Sequence, residues 1–362
     1  MKHRTFLKTL AASAASFIAS GHRGLLGEDK LALPPYKTTL PTTPFNAPEG
    51  SWTFVVLPDT QYYSQKYPEV FERQTQWIAA HKDSHKILFV AHEGDITNNN
   101  NAEQWERAQK AVRVLNEARV PYALAPGNHD LGTNGKADNR SSLMSDYFKP
   151  ADYQNSKAHV LFETGKMENS VHRFDSPTGS HMVVALEFGP RDEVLTWAGD
   201  QIAAHPDHQV TVVTHAYLFS DNLRNDWTTD GPAKHRRGNP KAYGLFGKGT
   251  VNDGEEIWRK LAEKNANVRL ILNGHITSGN GTGRLDSQGE AGQTVYQLLA
   301  NYQDNSPKSA GTVMPARGYG GGGFLRLMQY HPDGKTISVK TYSPWYDQWL
   351  EEDYQQFDLK LA

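Results

Sequence analysis

Tyr122-Ala123-Leu124-Ala125-Pro126-Gly127-Asn128-His129-Asp130 runs from an apolar, strand-like stretch straight into a turn that carries an amide, an imidazole and a carboxylate. The same design recurs on both sides of it. Phe54-Val55-Val56-Leu57 leads to Asp59-Thr60-Gln61, and Ile87-Leu88-Phe89-Val90 leads to Gly94-Asp95. Further on, Val210-Thr211-Val212-Val213 leads to His215, and Val268-Arg269-Leu270-Ile271-Leu272 leads to Gly274-His275. Apolar runs of this length read as buried strands. In an open α/β sheet the ligand crevice lies beyond the carboxyl ends of the strands, so residues far apart in sequence meet there. Two Asp, one Gln, one Asn and several His gathered in one place combine oxygen and imidazole donors, a mixture suited to one or two divalent cations.

The ordered series Asp-x-Gln, Gly-Asp, Gly-Asn-His-Asp, lone His and Gly-His resembles the metallophosphoesterase, or calcineurin-like phosphoesterase, superfamily. The usual pattern there is Asp-x-His, Gly-Asp, Gly-Asn-His-Asp/Glu, His and Gly-His-x-His. The resemblance runs from about Trp52 to Ile276. It implies a four-layer α/β/β/α sandwich of two mixed sheets with flanking helices, and two divalent ions drawn from Mn, Zn, Fe or Mg. The metal ligands it implies are Asp59, Gln61, Asp95, Asn128, His215 and His275. Asp95 would lend one oxygen to each cation, while a metal-activated water attacks phosphorus in a phosphate mono- or diester. His129 would give a proton to the departing alkoxide as general acid, with Asp130 as its orienting partner.

Two positions depart from the pattern: Gln61 and Thr277 stand where histidines that serve one metal are usual. The Asp59 side is then an oxygen-only set that favours Mg²⁺, Mn²⁺ or Ca²⁺ and binds more weakly, with Asn280, Asp286 or Asn301 available to fill the gap. Its neighbour, with Asp95, Asn128, His215 and His275, is mixed and favours Zn²⁺ or other later metals. Tyr62, Tyr63, Arg284, Tyr302 and Gln303 lie near motif ends or in loops and are candidates for substrate contact. His92, two residues before Gly94, reads as structural. A non-catalytic binding protein with one retained ion is the alternative function. No Gly-x-Ser-x-Gly elbow occurs, which leaves serine-hydrolase chemistry without support.

The 362 residues suffice for a large core, and 38% hydrophobic with 22% charged residues is ordinary globular composition. A formal charge of −2 indicates no nucleic-acid partner. With no cysteine, disulfides and thiolate metal sites are excluded. Lys2, Arg4 and Lys8 precede an apolar stretch from Leu10 to Ala19, and Ala19-Ser20-Gly21 offers a cleavage site, so residues 1–21 read as an export signal. His3 to Lys8 resembles a twin-arginine signal with its first Arg replaced by His, and an ordinary secretory signal is the other route. Either implies a periplasmic or extracellular protein. No other segment is long and apolar enough to span a membrane.

Residues 22–51 form a Pro-rich lead-in, 52–345 the metallophosphoesterase domain, and 346–362 a tail packed on it. Helical patterns are expected over Val70–Ile78, Glu103–Ala118, Asp192–Ala204 and Gly254–Lys264. Two long loops stand out. The first, 216–250, carries six Lys/Arg against three Asp, and either attracts an anionic substrate over the metal site or is a solvated excursion. The second, 306–323, ends in Gly320–Gly323 and reads as flexible rather than as a phosphate loop.

Overall fold

The computed structural model describes residues 47–361 apart from 229, 233 and 304–317. The expected export signal, most of the lead-in and most of the loop from 306 therefore lie outside the described residues. The five runs that precede the polar motifs are all strands: β1 (Trp52–Leu57), β2 (Ile87–His92), β3 (Tyr122–Leu124), and, after the antiparallel β4 (Ala158–Leu161), β5 (Ser170–Ser176) and β6 (Gly179–Ala185), β7 (Gln209–Val213) and β8 (Val268–Asn273). The chain then adds β9 (Thr282–Gln288), β10 (Thr294–Ala300), β11 (Leu325–Tyr330), β12 (Thr336–Ser343), β13 (Gln348–Leu350) and β14 (Phe357–Lys360). They build two seven-stranded mixed sheets. The first has the order β13-β12-β11-β1-β2-β3 with β14 also on β12; the second has β4-β5-β6-β7-β8-β10-β9.

Period-2 alternation assigns the layers. On β1, Trp52, Phe54 and Val56 face the second sheet and pack in one cluster with Phe174, Val183, Val213, Leu272 and Leu298. Val55 and Leu57, the alternate residues, face helices instead. Those helices are α1 (Gln61–Lys66), α2 (Pro68–His81), which buries Val70, Phe71, Gln74, Trp77 and Ile78, and α3 (Ala102–Glu117), capped by the Asn101 side chain on the Gln104 amide at 3.0 Å. The short α4 (Met144–Tyr147) joins the same cluster through Met144. On the far face of the second sheet lie α5 (Asp192–Ala203) and α6 (Gly254–Ile257), the latter prolonged by a π-turn over Trp258–Ala262. The layers run α/β/β/α, as the sequence pattern implies. No helix among the described residues is long and apolar enough to cross a membrane.

Two expectations need revision. The segment from 346 is more than a tail, because β13 and β14 both hydrogen-bond to β12 and Leu359 is fully buried between the sheets. The Gly320–Gly323 run, read as flexible, is seated on α1: all four glycines take positive φ, and the Gly323 amide donates to the Tyr63 hydroxyl at 2.9 Å. Leu359→Ala is therefore expected to destabilise the protein by about 2–5 kcal/mol, as for a core leucine. Urea denaturation measures this, and a loss under about 0.5 kcal/mol would place the last strand outside the cooperative core.

Candidate metal centre

β1, β2 and β3 are mutually parallel, as are β7, β8 and β10, so their carboxyl ends deliver the polar motifs to one edge of the sandwich. The loops there touch through backbone. The Thr60 amide donates to the Asp95 carbonyl at 3.1 Å, and the Gly274 amide to the His215 carbonyl at 3.1 Å. Two glycines are dictated by closeness rather than by turn geometry. A Cβ on Gly127 would fall 2.2 Å from Asp95 Oδ1, and one on Gly274 would fall 2.1 Å from Asp59 Oδ1. Neither can be any other residue while those carboxylates stay in place.

Asp95 is buried, with its backbone at φ 50°, and its two oxygens point different ways. Oδ1 accepts the His129 amide at 2.9 Å, and Oδ2 lies 3.2 Å from His215 Nε2. His215 Nδ1 donates to the Glu93 carbonyl at 2.9 Å, which leaves Nε2 as its ligand atom. His275 is set the opposite way round. Its Nε2 donates to the Gly238 carbonyl at 2.9 Å, so Nδ1 faces His215 Nε2 across 3.1 Å. One ligand atom each from Asp95, His215 and His275 thus falls within 4.8 Å of the others. Beside them, Asn128 Oδ1 is buried without a hydrogen-bond partner. Two carbonyl-oriented imidazoles, a carboxylate and an orphaned amide oxygen fit a divalent cation.

Asp59 marks a second seat. Its carboxylate accepts the His275 amide at 3.2 Å through Oδ1, and Asn301 Nδ2 and Gln303 Nε2 through Oδ2 at 2.8 and 3.3 Å. Gln61 is buried with its Oε1 unpartnered. Thr277 is exposed and offers nothing inward. Among the three replacements considered for it, only Asn301 is here. Asn280 Oδ1 caps the Thr282 amide, and Asp286 is paired with Arg284 on β9.

Other expected residues are placed elsewhere. Asp130 does not orient His129. Its carboxylate is consumed by the amides of Ile96, Thr97 and Gly127 and the Thr97 hydroxyl, at 2.7–2.9 Å, and His129 Nδ1 donates to the Asn98 carbonyl at 2.9 Å. Arg284 lies over the Tyr296 and Phe357 rings at the sheet edge, away from the metal ligands. Tyr302 is buried, its hydroxyl donating to Gln355 Oε1 at 2.8 Å. Tyr62, half-buried, lies against Gly320. His92 is structural, as expected: its ring bonds the Thr60 hydroxyl at 2.9 Å and the Gly94 amide at 3.1 Å.

Two residues escaped the sequence reading. Glu93 is a buried carboxyl whose Oε2 has no hydrogen-bond partner. Tyr243 brings its hydroxyl 3.4 Å from His275 Nε2. Gln303, expected only as a substrate contact, follows β10 and sits instead against the Asp59 carboxylate at 3.3 Å.

A family model of calcineurin-like phosphoesterases matches residues 53–278. The chain therefore belongs to the calcineurin-like phosphoesterase family, a class of metal-dependent phosphoric ester hydrolases. It is 28% identical over 346 residues to the uncharacterized protein YvnB of Bacillus subtilis (strain 168), which covers 93% of this chain and 22% of that protein. The chain thus spans about a fifth of the length of that curated relative. Among solved structures, a purple acid phosphatase, PPD1, from yellow lupin (Lupinus luteus) seeds superposes with TM-score 0.48 at 14% identity, over 88% of this chain and 55% of that one. GAP50 of Plasmodium superposes with TM-score 0.46 at 10% identity, over 87% and 90%.

Protonation and metal binding compete at this centre. Burial pushes His215 down, but the adjacent Asp95 and Asp59 carboxylates outweigh it and raise it to about 9. Burial also raises Asp59, against the opposing charge of His215. Burial opposes ionisation of Asp95 too, but His215 and His129 hold it well below the usual carboxylate range. At neutral pH the metal-free centre therefore holds a proton on His215, and a cation must displace it. Metal affinity is expected to climb from about pH 6 to about pH 9, with proton release on binding. Calorimetry in buffers of different ionisation enthalpy measures both; a flat affinity with no released proton would contradict this electrostatic picture.

Proposed function

We propose that the chain is an exported enzyme that hydrolyses phosphate mono- or diesters at two divalent cations, the one beside Asp59 held more weakly. The observation that carries this reading is the meeting of Asp95 Oδ2, His215 Nε2 and His275 Nδ1 within 4.8 Å, next to the orphaned Asn128 Oδ1. Export rests on the basic residues Lys2, Arg4 and Lys8 ahead of the apolar Leu10–Ala19. When bound, the divalent cations neutralise the phosphoryl oxygens and acidify the attacking water.

The chain's own residues do the rest. Asp95, with its two oxygens turned apart, sits between the seats. His129 is tied to the Asn98 carbonyl through Nδ1, which leaves Nε2 to carry the proton given to the leaving alkoxide. Substrate charge has a natural contact in the loop over His275. Of its six cations, Arg224 pairs with Glu255, Lys234 with Asp230, Arg236 with Asp221 and Lys241 with Glu256, and Lys248 donates to the Asp138 carbonyl. Arg237 is exposed, forms no ion pair among the described residues, and directly precedes Gly238, whose carbonyl holds His275. It is the residue we assign to the substrate phosphate.

The deciding experiment is hydrolysis of nitrophenyl phosphate and bis-nitrophenyl phosphate with added Mn²⁺. Asp95→Asn is expected to lower turnover by roughly 100-fold or more. Absence of any hydrolysis by the wild type across both esters and several metals would favour the non-catalytic binding protein. In the same assay His129→Ala should cost roughly 10²–10⁴-fold on alkyl phosphates and far less on nitrophenyl esters, whose leaving group needs no proton. Equal losses on both, or lost metal, would remove His129 from the acid role.

A further inference from the structure

Folded proteins rarely leave buried acceptors unpaired, and an orphaned oxygen therefore asks for an explanation. Of the ten buried side-chain oxygens without a partner among the described residues, Gln61 Oε1, Glu93 Oε2, Asn128 Oδ1 and Gln303 Oε1 belong to residues that follow the carboxyl ends of the strands that form the metal centre. Asn128 belongs with the histidines. Gln303 and Glu93 lie beside Asp59, and Gln61 follows it by two residues.

Gln303 stands out among them. Its backbone amide donates to Asn301 Oδ1 at 2.9 Å, and a methyl on Gly321 would lie 3.1 Å from its Cα, so its backbone is hemmed in from both sides. Its side-chain Nε2 rests on Asp59 Oδ2 at 3.3 Å, and the oxygen of the same planar amide has no partner. An amide can present either end: the NH₂ to a carboxylate, the oxygen to a cation. The histidine seat is vacant at the exposed Thr277, and Gln303 approaches Asp59 from a different strand. Glu93 adds a further carboxyl near Asp59 and His215, with the Arg326 guanidinium as its principal opposing charge.

We propose that the Gln303 side-chain oxygen replaces the missing imidazole and, with Asp59, Gln61 and Asp95, completes an all-oxygen seat for a hard divalent cation such as Mn²⁺ or Mg²⁺. The amide reverses on loading, turning Oε1 from an orphan into a ligand. The two seats then differ in kind: the imidazole seat takes Zn²⁺ and the amide-carboxylate seat takes Mn²⁺, so the loaded protein holds an unlike pair. This deepens the proposed two-cation reading and rests on it.

The test uses the full chain, stripped with chelator, loaded with one equivalent of Zn²⁺ and titrated with Mn²⁺ under electron paramagnetic resonance, with no substrate present. The wild type is expected to bind one Mn²⁺. Gln303→Met, similar in length but without the oxygen, is expected to weaken Mn²⁺ binding by roughly 10–100-fold while Zn²⁺ binding is unchanged. Gln303→Glu, which restores an oxygen, is expected to bind Mn²⁺ at least as tightly as the wild type. Comparable melting of the metal-free variants verifies folding, and Gln303→Glu carries the test if Gln303→Met fails to fold. Undiminished Mn²⁺ binding by Gln303→Met, loss in Gln303→Glu, or a wild type that takes up no Mn²⁺ beyond its Zn²⁺ would overturn the proposal. In that last case, phosphate-ester hydrolysis by the Zn²⁺ form would still leave the phosphoesterase reading standing.

Discussion

The Asp95 carboxylate is the constraint on which the rest of the centre depends. One oxygen is committed to the His129 amide and the other to His215, and the backbone adopts φ 50° to turn it that way. This works only because residue 127 has no side chain to collide with it. Asp130 secures the arrangement. By accepting from Gly127, Ile96 and Thr97 it fastens the loop after β3 to the loop after β2, with charge-assisted bonds in a fully buried place. A residue that looked catalytic from its motif is thus a clamp that fixes the loops beside it.

Such a centre is costly in isolation. Asp59, Glu93 and Asp95 are buried together, and the basic side chains acting on them include His215, His129 and Arg326. Burying like charges is unfavourable unless opposite charge arrives, and burial raises Glu93 well above its ordinary range for that reason. Divalent cations, when bound, would resolve this in one step, since they would supply the charge and take the orphaned oxygens as ligands. Stability for the scaffold comes from elsewhere: from the apolar cluster between the sheets and from the apolar faces that α2, α3 and α5 turn to them.

How much of this was legible in the sequence follows from where the information sits. The strands and the end at which their motifs emerge were readable because a polar motif after an apolar strand fixes both, whereas the four layers and the expected ligand set Asp95, Asn128, His215 and His275 came from the resemblance of the ordered motifs to a known family. Arg284 was misplaced because β9 is a polar edge strand, where alternation cannot tell the site face from the solvent face. Tyr302 was misjudged because an aromatic next to a site residue has two faces to choose from, and here it took the core. Asp130 was misassigned because adjacency in sequence says nothing about which donors a carboxylate will meet. Gln303 was read as a substrate contact and not as a neighbour of Asp59, because a lone glutamine has no motif, although its place after β10, parallel to β8, carried the same positional signal as the others.

The loop from 216 to 250 shows how a surface segment controls a buried ligand. Gly238 gives its carbonyl to His275 Nε2, and that single bond decides that Nδ1 faces the metal seat. The loop is held firmly enough for this. Asn239 bonds Asp253 Oδ2 at 3.1 Å, Lys241 pairs with Glu256, and Arg224 stacks over Trp258 while it pairs with Glu255. Its basic residues therefore serve mainly as fasteners, which accounts for a cationic excess without a cationic surface. Arg237, next to the carbonyl that orients His275, is the exception: it forms no ion pair among the described residues, and it is the charge proposed above to meet the substrate phosphate.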